Sequence, residues 1–412
     1  MRKYICEQCT KGFSFDFETS EKLNEFFAGD EHNLHYAKLS DMLDFSRTEF
    51  DKAIKLNEIK QEVEFKSKYP MINLGETATL QKGRSITSKK LKQGTVKVVA
   101  GGTDFAYYHS DSNRPANVIT VSASGANAGY VNFWNEPIFA SDCTTIVSDS
   151  ILKTKYIFYF LKIYQNIVTN LQKGQAQPHV YSEDLKTIKV PLPPLEIQKN
   201  IVSECEKIDA EYKQAQQEIK NCKNEIKSIF EESQKNATTT YKLSNKDLFE
   251  ISIGKRVLSS EMNDNYDIPV YSANVFVPFG KINKLLIKNF EVPSVLWGID
   301  GDWMVNVLPV GQKFYPTDHC GVLRIKGEQI EPKFVAMVLN NEGKIKGFER
   351  SYRASIDRVK AISITLPSLN IQTQCISQID KLESKVEIAK KIMSAATNRK
   401  KVVLEKYLCE TE

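Results

Sequence analysis

The chain has 412 residues, 41% hydrophobic and 26% charged, an ordinary globular composition that excludes both a disordered polymer and a membrane-embedded protein. At about 150 residues per domain, this length predicts two or three domains. Its 56 basic and 51 acidic side chains leave a net charge of +5, too small to mark a nucleic-acid binder unless the excess is localised.

The chain starts Met1-Arg2-Lys3-Tyr4-Ile5-Cys6-Glu7, which lacks the apolar core of a secretory signal. Apolar residues at Phe26, Phe27, Leu34, Tyr36 and Leu39, then Met42, Leu43, Phe45, Phe50 and Ile54, predict amphipathic helices, so residues 1–68 read as an N-terminal helical arm. Cys6-x-x-Cys9 is half of a zinc knuckle. A structural site needs four ligands, and His32 and His35 would complete it only at an unusual distance; reduced thiols are the default and no metal is assigned. The eight cysteines are scattered, which points to a reduced, cytoplasmic setting. The best apolar run, Tyr156 to Leu161, ends at Lys155 and Lys162, far short of the roughly 18–20 residues that span a bilayer, and no membrane partner is expected.

Residues 69–193 are strand-rich with one apolar helix. They end in Ile188-Lys189-Val190-Pro191-Leu192-Pro193-Pro194-Leu195-Glu196-Ile197-Gln198, an alternating strand stopped by proline. Residues 194–236 then carry apolar or small residues at Ile201, Cys205, Ile208, Tyr212, Ala215, Ile219, Cys222, Ile226 and Ile229, the steps of four and three of a coiled-coil seam. Residues 237–367 repeat the plan, closing on Ile362-Ser363-Ile364-Thr365-Leu366-Pro367-Ser368-Leu369-Asn370-Ile371-Gln372. Residues 368–412 repeat the heptads at Cys375, Ile379, Leu382, Val386, Ala389, Met393, Ala396 and Val403, broken only at Lys400. The offset is 174 at the junctions and drifts elsewhere. Leu80 to Arg84 matches Ile251 to Lys255, and Val118 to Val121 with Ser124-Gly125 matches Val295 to Trp297 with Asp300-Gly301. Asp142 to Val147 matches Asp318 to Leu323, and Lys155 to Leu161 matches Lys333 to Leu339. The fold class is therefore mixed α/β (α+β), two similar domains and two long helices behind an arm. Cys205, Cys222 and Cys375 read as small buried hydrophobes on the seam.

Counted by segment, net charge is −3 for residues 1–68, +5 for 69–193, −2 for 194–236, +3 for 237–367 and +2 for 368–412. The excess sits mainly in the two repeated domains, where phosphate contacts would need it. In the first, Lys82, Arg84, Lys89, Lys90 and Lys92 cluster with hydroxyls, and a second polar stretch holds Lys173, Gln175, Gln177, His179 and Tyr181. In the second, Lys255 and Arg256 match the first cluster, while Lys344, Lys346, Arg350, Arg353 and Arg358 match the second. Gln pairs well with the adenine edge, and Lys and Arg with guanine or phosphate. Reacting groups are missing by contrast. There is no Gly-x-x-x-x-Gly-Lys-[Ser/Thr] phosphate loop, Ser122 to Gly129 reading as a turn, no Asn-Pro-Pro-aromatic tetrad, and no triad-like placement of the five histidines, so no catalytic residue is assigned.

Two variable domains, each followed by Pro-Leu-Pro-Pro-Leu-Glu-Ile-Gln (191–198) or Leu-Pro-Ser-Leu-Asn-Ile-Gln (366–372) and a heptad helix, resemble the specificity subunit of type I restriction-modification systems over roughly residues 69–408. The resemblance implies a non-catalytic DNA-reading subunit, with target-recognition domains at 69–193 and 237–367 and spacer helices at 194–236 and 368–412 packed antiparallel. Each domain would read one half of a split double-stranded target. About 30 helical residues make a rod of roughly 45 Å, enough to set half-sites about one DNA turn apart. The implied partners are two DNA methyltransferase (modification) subunits and restriction/translocase subunits. S-adenosylmethionine and Mg-ATP would be bound by those partners, with no cofactor in this chain. The arm departs from the pattern. Leu39 to Arg47 and Tyr69 to Glu76 look like the joint between methyltransferase and recognition domain in fused enzymes, and either a methyltransferase-docking segment or a helical cap on the first domain would fit. Two other readings stay open: a coiled-coil protein-protein adaptor without DNA binding, and a recognition piece split from a single-chain restriction-modification enzyme.

Overall fold

A computed structural model of the chain describes residues 65–87, 92–174 and 177–410. Most of the N-terminal arm, with Cys6 and Cys9, and the candidate contacts Lys89, Lys90 and Gln175 lie outside the described residues. Contacts divide the chain into two units, one holding Met1–Val202 with Leu404–Glu412 and the other Ser203–Val403.

The first unit contains β1 (Met71–Asn73), α1 (Leu74–Thr77), β2 (Ala78–Lys82), β3 (Val96–Val99), β4 (Phe105–His109), β5 (Val118–Ser122), β6 (Val131–Trp134), β7 (Ile138–Ala140), β8 (Cys143–Ser148), α2 (Ile151–Ile163), α3 (Gln165–Thr169), α4 (Ser182–Lys186) and β9 (Lys189–Pro191). Then α5 (Leu195–Lys235) begins. The strands form a four-stranded sheet in the order β2-β8-β5-β6, a three-stranded sheet β4-β3-β7 and the pair β1-β9. Every residue of β5 is buried, as a β-branched run between two partners requires. Helix α2 is capped by Ser150, whose hydroxyl accepts from Lys153 N, and buries Tyr156, Ile157, Phe160 and Leu161. A fully buried ring such as Phe160 contributes about 1.5–3 kcal/mol.

The second unit repeats this order as β10 (Thr239–Lys242), β11 (Phe249–Ile253), β12 (Ile268–Tyr271), β13 (Gly280–Ile282), β14 (Ser294–Gly298), β15 (Val305–Leu308), β16 (Tyr315–Pro316), β17 (Cys320–Ile325), α6 (Pro332–Ile345), α7 (Ile356–Lys360), β18 (Ser363–Leu366) and α8 (Leu369–Leu408). Its sheets run β11-β17-β14-β15, β13-β12-β16 and β10-β18, so each sheet of the first unit has a counterpart strand for strand. The fold is mixed helix and sheet built twice, as the repeat predicts.

Within the second unit, α5 and α8 run antiparallel. Asp209 meets Lys400, Arg399 meets Glu211, and Cys222 packs with Leu382 and Val386. The seam lies where the heptads place it: Cys205, Ile208, Ala215, Cys222, Cys375, Ile379, Leu382, Val386, Ala389, Ala396 and Val403 are all buried. Lys400, the break in the pattern, turns its ammonium to Asp209. Tyr212 departs from expectation at 36% exposed. Burial pushes the Cys205 thiol up to about 12, so it behaves as an inert small hydrophobe.

The junction glutamines are structural. Gln198 and Gln372 are both buried and donate through Nε2 to the carbonyls of Pro193 and Pro367, at 2.9 and 2.8 Å, fixing the chain as it turns from strand into helix.

Candidate nucleic-acid interface

Each candidate cluster is positioned by a short run of chain at the edge of its domain. In the first unit that run is Ala140 to Cys143. Arg84 N donates to Ala140 O at 2.9 Å and Gly83 N to Cys143 O at 2.8 Å. A Cβ on Gly83 would stand 2.1 Å from Ser141 O, so only glycine lets the Lys82-Gly83-Arg84 corner approach. Lys82 and Arg84 project exposed from it, Arg84 with its guanidinium 5.6 Å from the Phe139 ring centroid. On its other side the same run holds the glycine turn: Ala123 N donates to Asp142 O, and the Ser124 hydroxyl to the Asp142 carboxylate. Gly125 and Gly129 both have positive φ, so Ser122 to Gly129 is the turn its sequence predicts.

The second cluster docks on this turn. Gly125 N donates to Pro178 O and Val180 N to Ala123 O, while Lys173 and His179 exchange backbone hydrogen bonds to close a small loop. His179 and Tyr181 stack, with centroids 6.1 Å apart, and Tyr181 is 52% exposed. The Lys173 ammonium lies 2.7 Å from Asp184 and 5.9 Å from the Tyr181 centroid, so part of its charge is already matched. Gln177 is exposed at the loop tip.

The second unit repeats the arrangement around Pro316 to Cys320. Lys255 N donates to Pro316 O, Gly254 N to Cys320 O, and Ile299 N to His319 O. Lys255 and Arg256 are exposed, and a Cβ on Gly254 would stand 1.9 Å from Pro316 O. The cluster at 344–358 docks through Ala354 N on Ile299 O, the counterpart of Val180 on Ala123. Arg353 and His319 both meet the Asp300 carboxylate. Burial works against that carboxylate, but the two partners outweigh it and hold its pKa below the usual range. Arg358 covers the Tyr352 ring at 4.0 Å, Tyr352 stacks on Phe348, and Phe348 packs on Trp303. Lys344, Lys346 and Arg350 are exposed along the same stretch.

Among the described residues, the structure thus brings members of the two predicted clusters of each domain to one run of chain, at equivalent places in both copies. Sequence reasoning missed Ser124, Asp142, Asp300, His319 and Tyr352. The repeat carried part of the signal, pairing Ser124-Gly125 with Asp300-Gly301, but the structure sets Asp142 opposite His319, one residue beyond the Asp318 of the sequence match. Among the described residues, no helix is long and apolar enough to cross a membrane.

Residues 66–221 and 239–398 each match the family model described as the type I restriction modification DNA specificity domain. A type I restriction enzyme MjaVIII specificity subunit from Methanocaldococcus jannaschii is 35% identical over 86 residues, 21% of this chain and 20% of that protein. A putative type I specificity subunit N-terminus from Mycoplasma pneumoniae is 31% identical over 101 residues, 24% of this chain and 52% of that protein. The chain therefore spans between a fifth and about half of the length of these curated relatives. The crystal structure of a type I restriction-modification S subunit from M. genitalium superposes with a TM-score of 0.63 at 17% identity, covering 86% of this chain and 99% of that one, a likeness of fold. With both halves matched in tandem over most of its length, the chain belongs to the family of type I restriction modification DNA specificity domains.

Proposed function

We propose that the chain is the non-catalytic specificity subunit of a type I restriction-modification complex, reading a bipartite duplex target with one half-site per domain. The observation that carries this reading is the recurrence of one basic, aromatic-bearing edge in both copies of the fold: Lys82, Arg84, Lys173, Gln177, His179 and Tyr181 in the first, Lys255, Arg256, Arg350, Arg353 and Arg358 in the second. A duplex offers phosphates to the lysines and arginines and base edges to Gln177 and Arg353. The 41 residues of α5, at 1.5 Å each, extend roughly 60 Å. DNA methyltransferase and restriction/translocase subunits are the partners in this reading. They, rather than this chain, bind S-adenosylmethionine and Mg-ATP, and the complex works in the cytoplasm.

Methylation motifs sequenced genome-wide with and without this gene test the reading. A bipartite motif that disappears with the gene supports it; unchanged methylation overturns it, as does the absence of any salt-dependent duplex binding by the chain with its methyltransferase. Lys82→Ala or Arg256→Ala is expected to weaken binding to all sequences and lower the salt slope by about one. Gln177→Ala or Arg353→Ala is expected to relax preference in one half-site only, by about 1–3 kcal/mol.

A further inference from the structure

One buried charge in the second unit has no counterpart in the first. Strand β17 is buried along its whole length, yet its fifth residue is Arg324, only 6% exposed and paired in register with Glu250 and Ser294. By strand register, which shifts the sequence match of these strands by one residue, the equivalent residue of β8 is Val147, opposite Thr79. An arginine where valine serves the same sheet is costly, because a guanidinium taken from water needs partners for its donors. Arg324 has one: Nη2 donates to Asn289 O. Nε and Nη1, which carry three of the five N–H donors of a guanidinium, are buried and have no hydrogen-bond partner among the described residues. Glu250, the nearest carboxylate in register, is instead exposed and 3.7 Å from Lys326. Burial lowers the Arg324 pKa from its ordinary value, with Glu250 opposing.

Arg324 lines a cavity of about 600 Å³ that lies wholly within the second unit, together with Lys255, Lys288, Lys326, Glu250 and Ser252. Four cations face one carboxylate. Part of the lining, at residues 286–289 and 292, is irregular chain. Its volume is within the range of small-molecule sites, and Ile253 and Leu286 add apolar lining.

We propose that this cavity is a phosphate-binding site, in which Lys255, Lys288 and Lys326 supply charge at the lining and Arg324 a largely buried cation set into the same lining. The ligand is a phosphate ester: the cavity exceeds a lone phosphate, and its apolar lining takes the rest of the molecule. Two sources share that chemistry, a nucleotide phosphate of the bound duplex and a free mononucleotide. The site is independent of base reading except that Lys255 belongs to both.

The test is thermal unfolding of the full chain titrated with inorganic phosphate against chloride at constant ionic strength. The expected result is a rise of a few degrees in wild type that is lost in Arg324→Met and shifted at least tenfold in phosphate concentration in Lys288→Ala. Lys288 is exposed, so its removal leaves the core intact should the Met variant fold poorly. No rise in wild type, or an equal rise in both variants, overturns the proposal whatever the DNA result. Competition then separates the sources. If phosphate displaces a target duplex from wild type but not from Arg324→Met, the ligand is DNA; if duplex binding is indifferent to phosphate while a mononucleoside monophosphate binds the cavity, the ligand is free.

Discussion

Gly83 and Gly254 hold the same place in the two domains, each pressed against a backbone carbonyl, Ser141 O and Pro316 O. Gly254→Ala should destabilise the second unit by about 1–3 kcal/mol in urea denaturation, the ordinary cost of overpacking. Asp300 gives a pH signature. Its carboxyl is held below the usual range by His319 and Arg353, so its contribution is present above the unfolded carboxylate pKa and lost as pH falls through the folded one. Asp300→Asn should therefore lower stability at neutral pH and flatten the acid limb of the second unit, the difference from wild type vanishing as pH falls below the folded carboxyl pKa, measured by denaturant midpoints across pH. At this scale the basic clusters were legible, because lysine and arginine declare themselves by type. Asp300 and His319 were not, because they are separated along the chain and become neighbours only once β14 and β17 pair. Arg324 was invisible for a similar reason, since a lone arginine in a strand reads as an outward charge until both neighbouring strands cover it.

Among the elements, the long helices were the most legible, because a period of three and four sustained over nine positions has few other physical readings. Even the break at Lys400 kept its meaning as the polar residue of an otherwise apolar seam, met by Asp209. A double-mutant cycle of Lys400→Met and Asp209→Ala should give a coupling of about 0.5–1 kcal/mol, below that of a fully buried pair because Asp209 keeps about a third of its surface in water. Lys400→Met alone should cost little, since the methionine fills the same hole. Short strands such as β16, two residues long, could not be read. They are defined by pairing with β12 rather than by any local pattern.

At the scale of the whole molecule, the duplication was readable from the shared offset of 174 at the junctions and along the long helices, and the sheets repeat it strand for strand. What the heptads did not disclose is that the last turns of α8 belong to the first unit. Leu404 and Leu408 are fully buried there, and Leu408 O accepts from both Lys68 N at 2.9 Å and the Ser67 hydroxyl at 3.1 Å. In sequence they fall outside the heptad register, which passes through Val403. Leu408→Ala should cost about 2–4 kcal/mol, and the loss should fall on the first unit's unfolding transition in hydrogen-exchange measurements.

That closing contact, from residue 68 to residue 408, also sets an order of events during synthesis. A ribosome adding 5–20 residues per second needs roughly 10–40 s to pass from Ser203 to Val403. Throughout that interval the sheets of the first unit can pair but their last apolar partners do not yet exist. The nascent chain carries an unfinished surface beside Ser67 and Lys68 until the final helical turns emerge, so the half made first is the half completed last.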